Sequence, residues 1–205
     1  MLKKLKISGK RLRLCVALGL LCAVFLSLTD FNADCENIRQ NVLRLHIIAN
    51  SDSPQDQALK LKIRDRILEE SENIFGLCEN VEQAVEVTEN QLLRFQSIAN
   101  RVIKEAGFGY NAKATVGDRY FETRVYDEFT LPAGNYKSLI IDVGEAKGKN
   151  WWCVIFPEIC LPTSAQTGLD KTVDEDSARI AEGKNRYIMR FKLVEIYEDI
   201  KNWFK

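Results

Sequence analysis

The side chains able to do nucleophilic or acid–base chemistry are few in this chain of 205 residues, and their spacing matches no established catalytic motif. His46 is the only histidine, and it lies in the middle of a predicted strand. A triad of His46 with Asp52 or Asp65 and a serine could be imagined, but a lone histidine in a strand is more often packed and hydrogen-bonded. The sequence has no G-x-S-x-G elbow, no H-E-x-x-H pair and no Walker loop. We therefore expect no catalytic residues, and a secreted hydrolase or cell-wall enzyme that uses His46 and nearby acids is the alternative.

No metal or cofactor site is predicted either. One histidine and the lack of a C-x-x-C pair argue against a zinc ligand set. Asp52, Asp56 and Asp65 could hold a cation, yet helix capping and pairing with lysines four residues away explain them more simply. Residues 144–150 hold two glycines and two lysines, but their spacing matches no established phosphate cradle.

Six cysteines are present, and two of them, Cys15 and Cys22, lie in an apolar run and are read as packing residues. The other four are Cys35, Cys78, Cys153 and Cys160. Outside the cytoplasm these four permit two disulfides, with three possible pairings. We predict a bond between Cys153 and Cys160, which are closest in sequence, with four buried free thiols as the alternative.

Residues 1–34 have the pattern of an export signal. Six basic residues and no acidic residue occur in the first thirteen positions, and an unbroken apolar run follows over 14–28. A full bilayer span needs about 20 apolar residues, so this shorter run favours a signal peptide over a permanent helix. The cleavage site matches the small-x-small rule poorly, and an uncleaved membrane anchor therefore stays open.

Residues 35–205 are enough for one exported globular domain with its own core. Six of the 29 basic and two of the 29 acidic residues lie in 1–34, so the remainder carries a net charge of −4. This balance argues against nucleic acid as a partner and otherwise indicates only solubility.

Hydrophobic periodicity predicts the elements that position these residues. Residues 42–48 alternate as a strand, and Ser53 and Pro54 provide the cap and first position of a helix that runs to about Phe75. A second long helix is predicted from about 81 to 106.

The rest of the chain reads as strands and shorter helices. Strands are predicted over 112–116, 119–126, 136–143, 151–156 and 187–190, the first two joined as a hairpin by Gly117-Asp118. Helices are predicted over 174–181 and 192–203. The result is an α+β or α/β domain, with two long N-terminal helices packed on a mixed β-sheet and a C-terminal helix.

Trp151 and Trp152 are adjacent in a predicted strand, so their side chains should point to opposite faces. One should enter the core and the other should face out, where an exposed tryptophan is a typical interface anchor. The alternative is that helices cover both.

Two blocks of this sequence resemble one known family. Residues 42–65, V-L-R-L-H-I-I-A-N-S-D-S-P-Q-D-Q-A-L-K-L-K-I-R-D, are similar to the signature of the stage II sporulation protein R family. Residues 144–160, G-E-A-K-G-K-N-W-W-C-V-I-F-P-E-I-C, are similar to its second block. Ala146 and Glu158 depart from it, because family members carry Gly-Glu-Gly and a second proline there. With the export segment in front, the resemblance covers nearly the whole chain.

The resemblance implies a function in endospore formation. Such proteins are made in the forespore and exported into the space between the two septal membranes. There they activate a membrane-embedded aspartic protease of the mother cell, which then removes the pro-sequence of sigma-E. On this implication the chain is a ligand and not an enzyme. A structural septal protein, which would bind without triggering proteolysis, is a third interpretation.

The same resemblance implies that the two blocks contact the protease. The first block offers Arg44, His46, Asn50, Asp52, Gln57, Lys60, Arg64 and Asp65, and the second offers Glu145, Lys147, Asn150 and Trp152. We expect the strand, the turn after it and the loop 144–150 to converge on one patch. Simpler structural readings exist, since Asn50 and Asp52 suit a turn and Arg64 and Asp65 can pair with neighbours.

Overall fold

The structure is a computed structural model that describes residues 9–126, 129–157, 172–183 and 187–203. Its strands include β1 (Leu43–Ile48), β2 (Ala112–Phe121), β5 (Gly134–Val143) and β6 (Asn150–Phe156). They form a mixed sheet in the order β2-β5-β1-β6, in which β1 and β5 are parallel and both edge strands are antiparallel to their neighbours. A short ribbon, β3 (Arg124–Val125) with β4 (Thr130–Leu131), completes the described strands.

Three helices cover one face of the sheet: α2 (Pro54–Phe75), α3 (Val81–Asn90) and α4 (Leu92–Glu105). Because side chains alternate along a strand, Leu43, Leu45 and Ile47 of β1 all point toward these helices and form the larger core. Helix α2 begins as predicted, since the Ser53 side chain accepts a hydrogen bond from the Asp56 amide at 3.1 Å.

Helix α1 (Gly9–Gln40) lies on the other face and connects residues 9–34 of the predicted export segment directly to the folded domain. Phe31, Cys35 and Ile38 near its end are buried. Position 34, our predicted boundary, therefore lies inside a continuous helix whose last turns belong to the core. Among the helices of the described ranges, none has both the length and the apolar character required to span a bilayer.

Helices α5 (Glu175–Glu182) and α6 (Ile188–Trp203) complete this second helical layer. The rings of Phe31 and Phe191 lie 5.3 Å apart, and Arg39 pairs with Glu198 at 3.9 Å, so α1 and α6 run side by side in the same direction. The outer side of α6 exposes a stripe of large apolar residues: Met189, Leu193, Ile196, Tyr197, Ile200 and Trp203.

The predicted fold class is confirmed, because helices pack on both faces of a mixed sheet. The second long helix is wrong in detail: Gln91, with φ −105° and ψ 9°, ends α3 and separates it from α4. The buried residues of α4 are Phe95, Ile98, Ala99 and Ile103, and Ala106 is exposed.

The predicted hairpin at Gly117-Asp118 is also wrong. Strand β2 continues through both residues because β5 supplies an unbroken antiparallel partner, with Gly117 opposite Ser138 and Asp118 opposite Lys137. The strand predicted over 187–190 is wrong as well, since residues from Ile188 onward are helical.

Candidate functional site

The two family-like blocks meet where β1 ends and the chain returns to β6. We call this region the turn–loop junction; it comprises residues 49–57, Lys60 and the loop 144–149. Asn50 is its central residue, because its Oδ1 accepts from the Glu145 amide at 2.9 Å and its carbonyl accepts from the Lys147 amide at 3.2 Å. Gly144 is needed beside it: the backbone has φ +57°, and a Cβ would lie 2.3 Å from Asn50 Oδ1.

Asp52 and Lys60 fasten the other end of the same loop. Asp52 Oδ1 accepts from the Lys149 amide at 2.7 Å, and Lys60 Nζ donates to the Lys149 carbonyl at 2.8 Å. Lys60 also donates to Gln57 Oε1 at 2.7 Å. Burial lowers the pKa of Lys60, and the charge of Asp52 opposes this shift. The buried Lys60 ammonium therefore links helix α2 to the loop by hydrogen bonds.

Asp56 lies beneath Asn50, and we did not include it in the predicted patch. Its carboxylate accepts from Asn50 Nδ2 at 2.9 Å, from Ser51 Oγ at 2.6 Å and from the Tyr110 hydroxyl. Burial alone would raise the pKa of Asp56, but the hydrogen bonds from Ser51, Tyr110 and Asn50 outweigh it and lower the pKa. The capping-box position of Asp56 was visible in the sequence, whereas the approach of Tyr110 from 54 residues away was not.

Charged groups form the exposed rim of the junction. Glu145 and Lys147 pair with each other at 2.7 Å, and both are exposed. On α2, the Arg64 guanidinium bonds to Asp65 at 2.5 Å and lies 4.5 Å over the ring of Trp151. These are pairs of neighbouring residues on a solvated surface, where ion pairs contribute little stability.

The remaining predicted contact residues lie in a separate place. Arg44, His46 and Trp152 point to the α1 side of the sheet, where they meet aromatic rings. We call this cluster the aromatic box; its members are Arg44, His46, Phe121, Tyr126, Tyr136 and Trp152. The structure thus brings the turn and the loop together and places these three predicted residues elsewhere.

Arg44 is the most buried member of the aromatic box, with 0% exposure. Its guanidinium lies 4.0 Å over the Phe121 ring and 5.0 Å from the Tyr136 ring, and its Nη2 donates to the Tyr126 hydroxyl at 2.6 Å. Burial lowers the pKa of Arg44 and the two tyrosines oppose this shift. Neither Nε nor Nη1 has a hydrogen-bond partner among the residues that the structure describes.

His46 lies beside Arg44 on the same face, edge-on to Phe121 and Trp152. Burial lowers the pKa of its imidazole. The Asn150 side chain is near enough to oppose part of that shift, but neither ring nitrogen has a hydrogen bond of good geometry. Burial therefore favours the neutral imidazole, which has no well-formed hydrogen bond to the described residues.

Both adjacent tryptophans are half-buried, each against a different core, so the alternative in which both are covered is closer to the structure. Cys153, the next residue, is bonded in a disulfide. Cys160 lies outside the described residues, so its pairing with Cys153 stays a prediction. Within the described ranges, no group of three or more histidine, cysteine or acidic residues could hold a metal ion.

Comparison with known proteins identifies the chain's relatives. The family model described as "Stage II sporulation protein R (spore_II_R)" matches residues 39–166. A protein of Bacillus subtilis (strain 168) named Stage II sporulation protein R is 35% identical over 123 residues. That match covers 60% of this chain and 55% of the relative, so it spans about half of the relative's length. No solved structure matches this chain.

Proposed function

This chain belongs to the stage II sporulation protein R family and so has a sporulation-related function, and on that premise we propose that it is an intercompartmental signalling ligand. It is made in the forespore and exported into the space between the septal membranes. There it is either secreted or held by an uncleaved N-terminal segment. Its receptor is the membrane-embedded aspartic protease of the mother cell, which it activates to process pro-sigma-E.

The observation that carries this proposal is the turn–loop junction. Residues far apart in sequence, such as Asn50 and Glu145, are joined there by direct hydrogen bonds. The two family-like blocks therefore present one continuous polar surface. A ligand needs such a rigid surface, because ordering a loose loop on binding would cost conformational entropy.

Within this proposal the exposed side chains of the junction make the receptor contacts. Asp52, Glu145 and Lys147 are exposed there. Asn150, at the start of β6, is also exposed, but its side chain lies near His46. Gln57 and Lys60 hold the loop from below. Arg64 and Asp65 extend the same surface along α2, next to Trp151.

The hydrolase alternative finds no comparable support in the geometry. A general base is oriented by a hydrogen bond to an acidic or carbonyl group, whereas no described residue makes a hydrogen bond of good geometry to His46. Asp52 is engaged with Lys149 and Asp65 with Arg64. Purified full-length chain should therefore leave cell-wall material undigested. Digestion that His46→Ala reduces by about 100-fold or more would restore the enzyme reading.

The decisive experiment is reconstitution in a non-sporulating host. The full chain, the membrane protease and pro-sigma-E are co-expressed, and shortened sigma-E is detected by immunoblot. We expect processing only when this chain and its export segment are both present. Absence of processing, with all three proteins present and this chain exported, would overturn the proposal.

Surface variants then test the turn–loop junction itself. Glu145→Ala and Lys147→Ala remove only exposed charges, so both proteins should fold and activate less well. Arg179→Ala on α5 is the matched control, because it also breaks exposed ion pairs but lies in the opposite helical layer. Full processing by both junction variants would place the receptor contact elsewhere.

A further inference from the structure

Arg44 is a buried cation for which the described residues provide no acidic partner. Its Nε and Nη1 lack hydrogen bonds, and the charged or polar groups that act on it are Tyr126, Tyr136 and Arg124. An unpaired charge is among the most costly groups to bury. An apolar side chain of similar volume would fill the same space at lower cost, so packing alone does not account for Arg44.

His46 adds two more unpaired polar atoms next to this cation. It is 8% exposed, and within the described ranges neither ring nitrogen has a hydrogen bond of good geometry, although the Asn150 side chain lies near the ring. Arg119 and Arg44 contribute positive potential at the imidazole, and among the described residues Asp142 opposes them. The aromatic box therefore combines positive potential with unused hydrogen-bond donors, which is what an anion requires.

We propose that the aromatic box is a binding site for a carboxylate, with Arg44 as the principal donor and His46 as the second. This inference goes beyond the proposed function and does not rest on it. A carboxylate is planar, so it can lie in the plane of the Arg44 guanidinium and cover the Phe121 ring together with it. A tetrahedral phosphate or sulfate would place oxygens above and below that plane, against the ring.

Tyr126 competes with the carboxylate for one of the two edges of the guanidinium that can bind both carboxylate oxygens. Nη2 contributes one N–H group to each edge, and one of these groups donates to the Tyr126 hydroxyl. Tyr126 is half-buried, and its hydroxyl also lies 3.5 Å from the Trp152 carbonyl, so it closes the box beside a half-buried tryptophan. On the outside, exposed Arg124 lies 4.6 Å over the Trp152 ring and supplies a second cation for the approaching anion.

The chain's single histidine makes the test direct, because every imidazole signal comes from His46. Full-length chain labelled with ¹³C,¹⁵N-histidine, in a non-ionic detergent, is titrated at constant pH and ionic strength. One arm uses sodium acetate as a free carboxylate. A second uses a capped pentapeptide with a central glutamate, and its control is the same peptide with glutamine. Sodium chloride is the reference anion.

Saturable shifts of the His46 resonances with a carboxylate, and not with chloride or the glutamine peptide, are the expected result. A response to acetate alone identifies a small free carboxylate as the ligand. A stronger response to the glutamate peptide identifies an acidic side chain of a protein segment. No saturable response to either carboxylate would overturn the proposal.

Two variants separate binding from packing. Arg44→Met keeps the volume and should weaken binding at least about tenfold, the loss expected for a charge-assisted hydrogen bond. Tyr126→Phe removes the competing hydroxyl and should tighten binding by about two- to tenfold. Circular dichroism checks the fold of each. If Tyr126→Phe is folded and binds no tighter, and Arg44→Met binds as well as the parent chain, the assigned geometry is wrong.

Discussion

The turn–loop junction and the aromatic box are built from similar residue types but treat them in opposite ways. In the junction, the buried groups of Asn50, Asp56 and Lys60 all have hydrogen-bond partners. In the aromatic box, four nitrogens of Arg44 and His46 have no hydrogen bond of good geometry to any described residue. Satisfied buried networks fix a structure, whereas unsatisfied ones are costly unless something fills them. We therefore read the junction as a rigid scaffold and the box as a receptive site.

The largest expected effect tests the junction through Asp56. Asp56→Ala would leave the donors of Asn50, Ser51 and Tyr110 unpaired, and we expect a loss of about 3 kcal/mol or more in the free energy of unfolding. Asp65→Ala, at an exposed ion pair, should cost no more than about 0.5 kcal/mol. Urea unfolding of the full chain measures both. Equal effects of the two substitutions would mean that the junction is not the scaffold we describe.

Acid should weaken the junction through the same carboxyl. The folded-state pKa of Asp56 lies below its unfolded value, so its contribution is complete above an unfolded pKa of about 3.9. That contribution is lost as the pH falls through the folded-state pKa. The unfolding free energy should therefore fall less steeply in Asp56→Asn than in the parent chain below about pH 4. If the unfolding free energies of the two proteins fell equally with pH, Asp56 would not be the group that weakens the junction in acid.

Gly144→Ala tests the contact between turn and loop. An alanine there would be strained at φ +57° and would clash with Asn50, so we expect a loss of about 2 kcal/mol in unfolding free energy. Gly109→Ala is the matched control, because its Cβ would meet nothing within 4 Å. Thermal unfolding compares the two variants, and tolerance of alanine at Gly144 would show that the loop can separate from Asn50.

Ala146→Gly should act in the opposite direction. Ala146 has φ +50°, in the left-handed region that favours glycine, and it stands where the resembled family has glycine. Relief of this strain, less the entropy that glycine adds to the unfolded chain, should stabilise the fold by about 0.5–1 kcal/mol. A lower midpoint of urea unfolding in this variant would contradict the expectation.

The smallest effect is expected in the aromatic box. Arg44→Met removes one hydrogen bond and two cation–π contacts but also removes a buried charge that has no acidic partner among the described residues, so stability should change by no more than about 1 kcal/mol. Urea unfolding with no added carboxylate measures this. A loss of the size expected for Asp56→Ala would make the aromatic box a second scaffold and remove the contrast between the two regions.

The sequence predicted elements whose signals are local. Ser53 and Pro54 marked the start of α2 because cap chemistry depends on adjacent residues. Alternation identified β1, and a strongly apolar run identified β6. The hairpin predicted at Gly117-Asp118 was wrong because β5 pairs with ten consecutive residues of β2. This pairing overrides the turn propensity of two residues.

The candidate residues also divide into those placed by local motifs and those placed by contacts between distant parts of the sequence. Asn50 and Glu145 were predicted to lie close together from the motifs that contain them, and they do. The burial of Arg44 and the role of Tyr110 depend on contacts 82 and 54 residues apart in sequence, which periodicity cannot reveal. The polarity of Arg44 suggested an exposed contact residue, and its placement on the α1 side of the sheet made it an interior one.

Helix α1 has a mechanical consequence. The apolar run ends at residue 28, and Phe31, only three residues later, is already locked against Phe191. At 1.5 Å of rise per helical residue, the gap between them is about 5 Å. An uncleaved N-terminal segment would therefore hold the folded domain directly at the membrane surface, with no flexible linker. Under the proposed function, the domain could then contact only a receptor held close to that membrane.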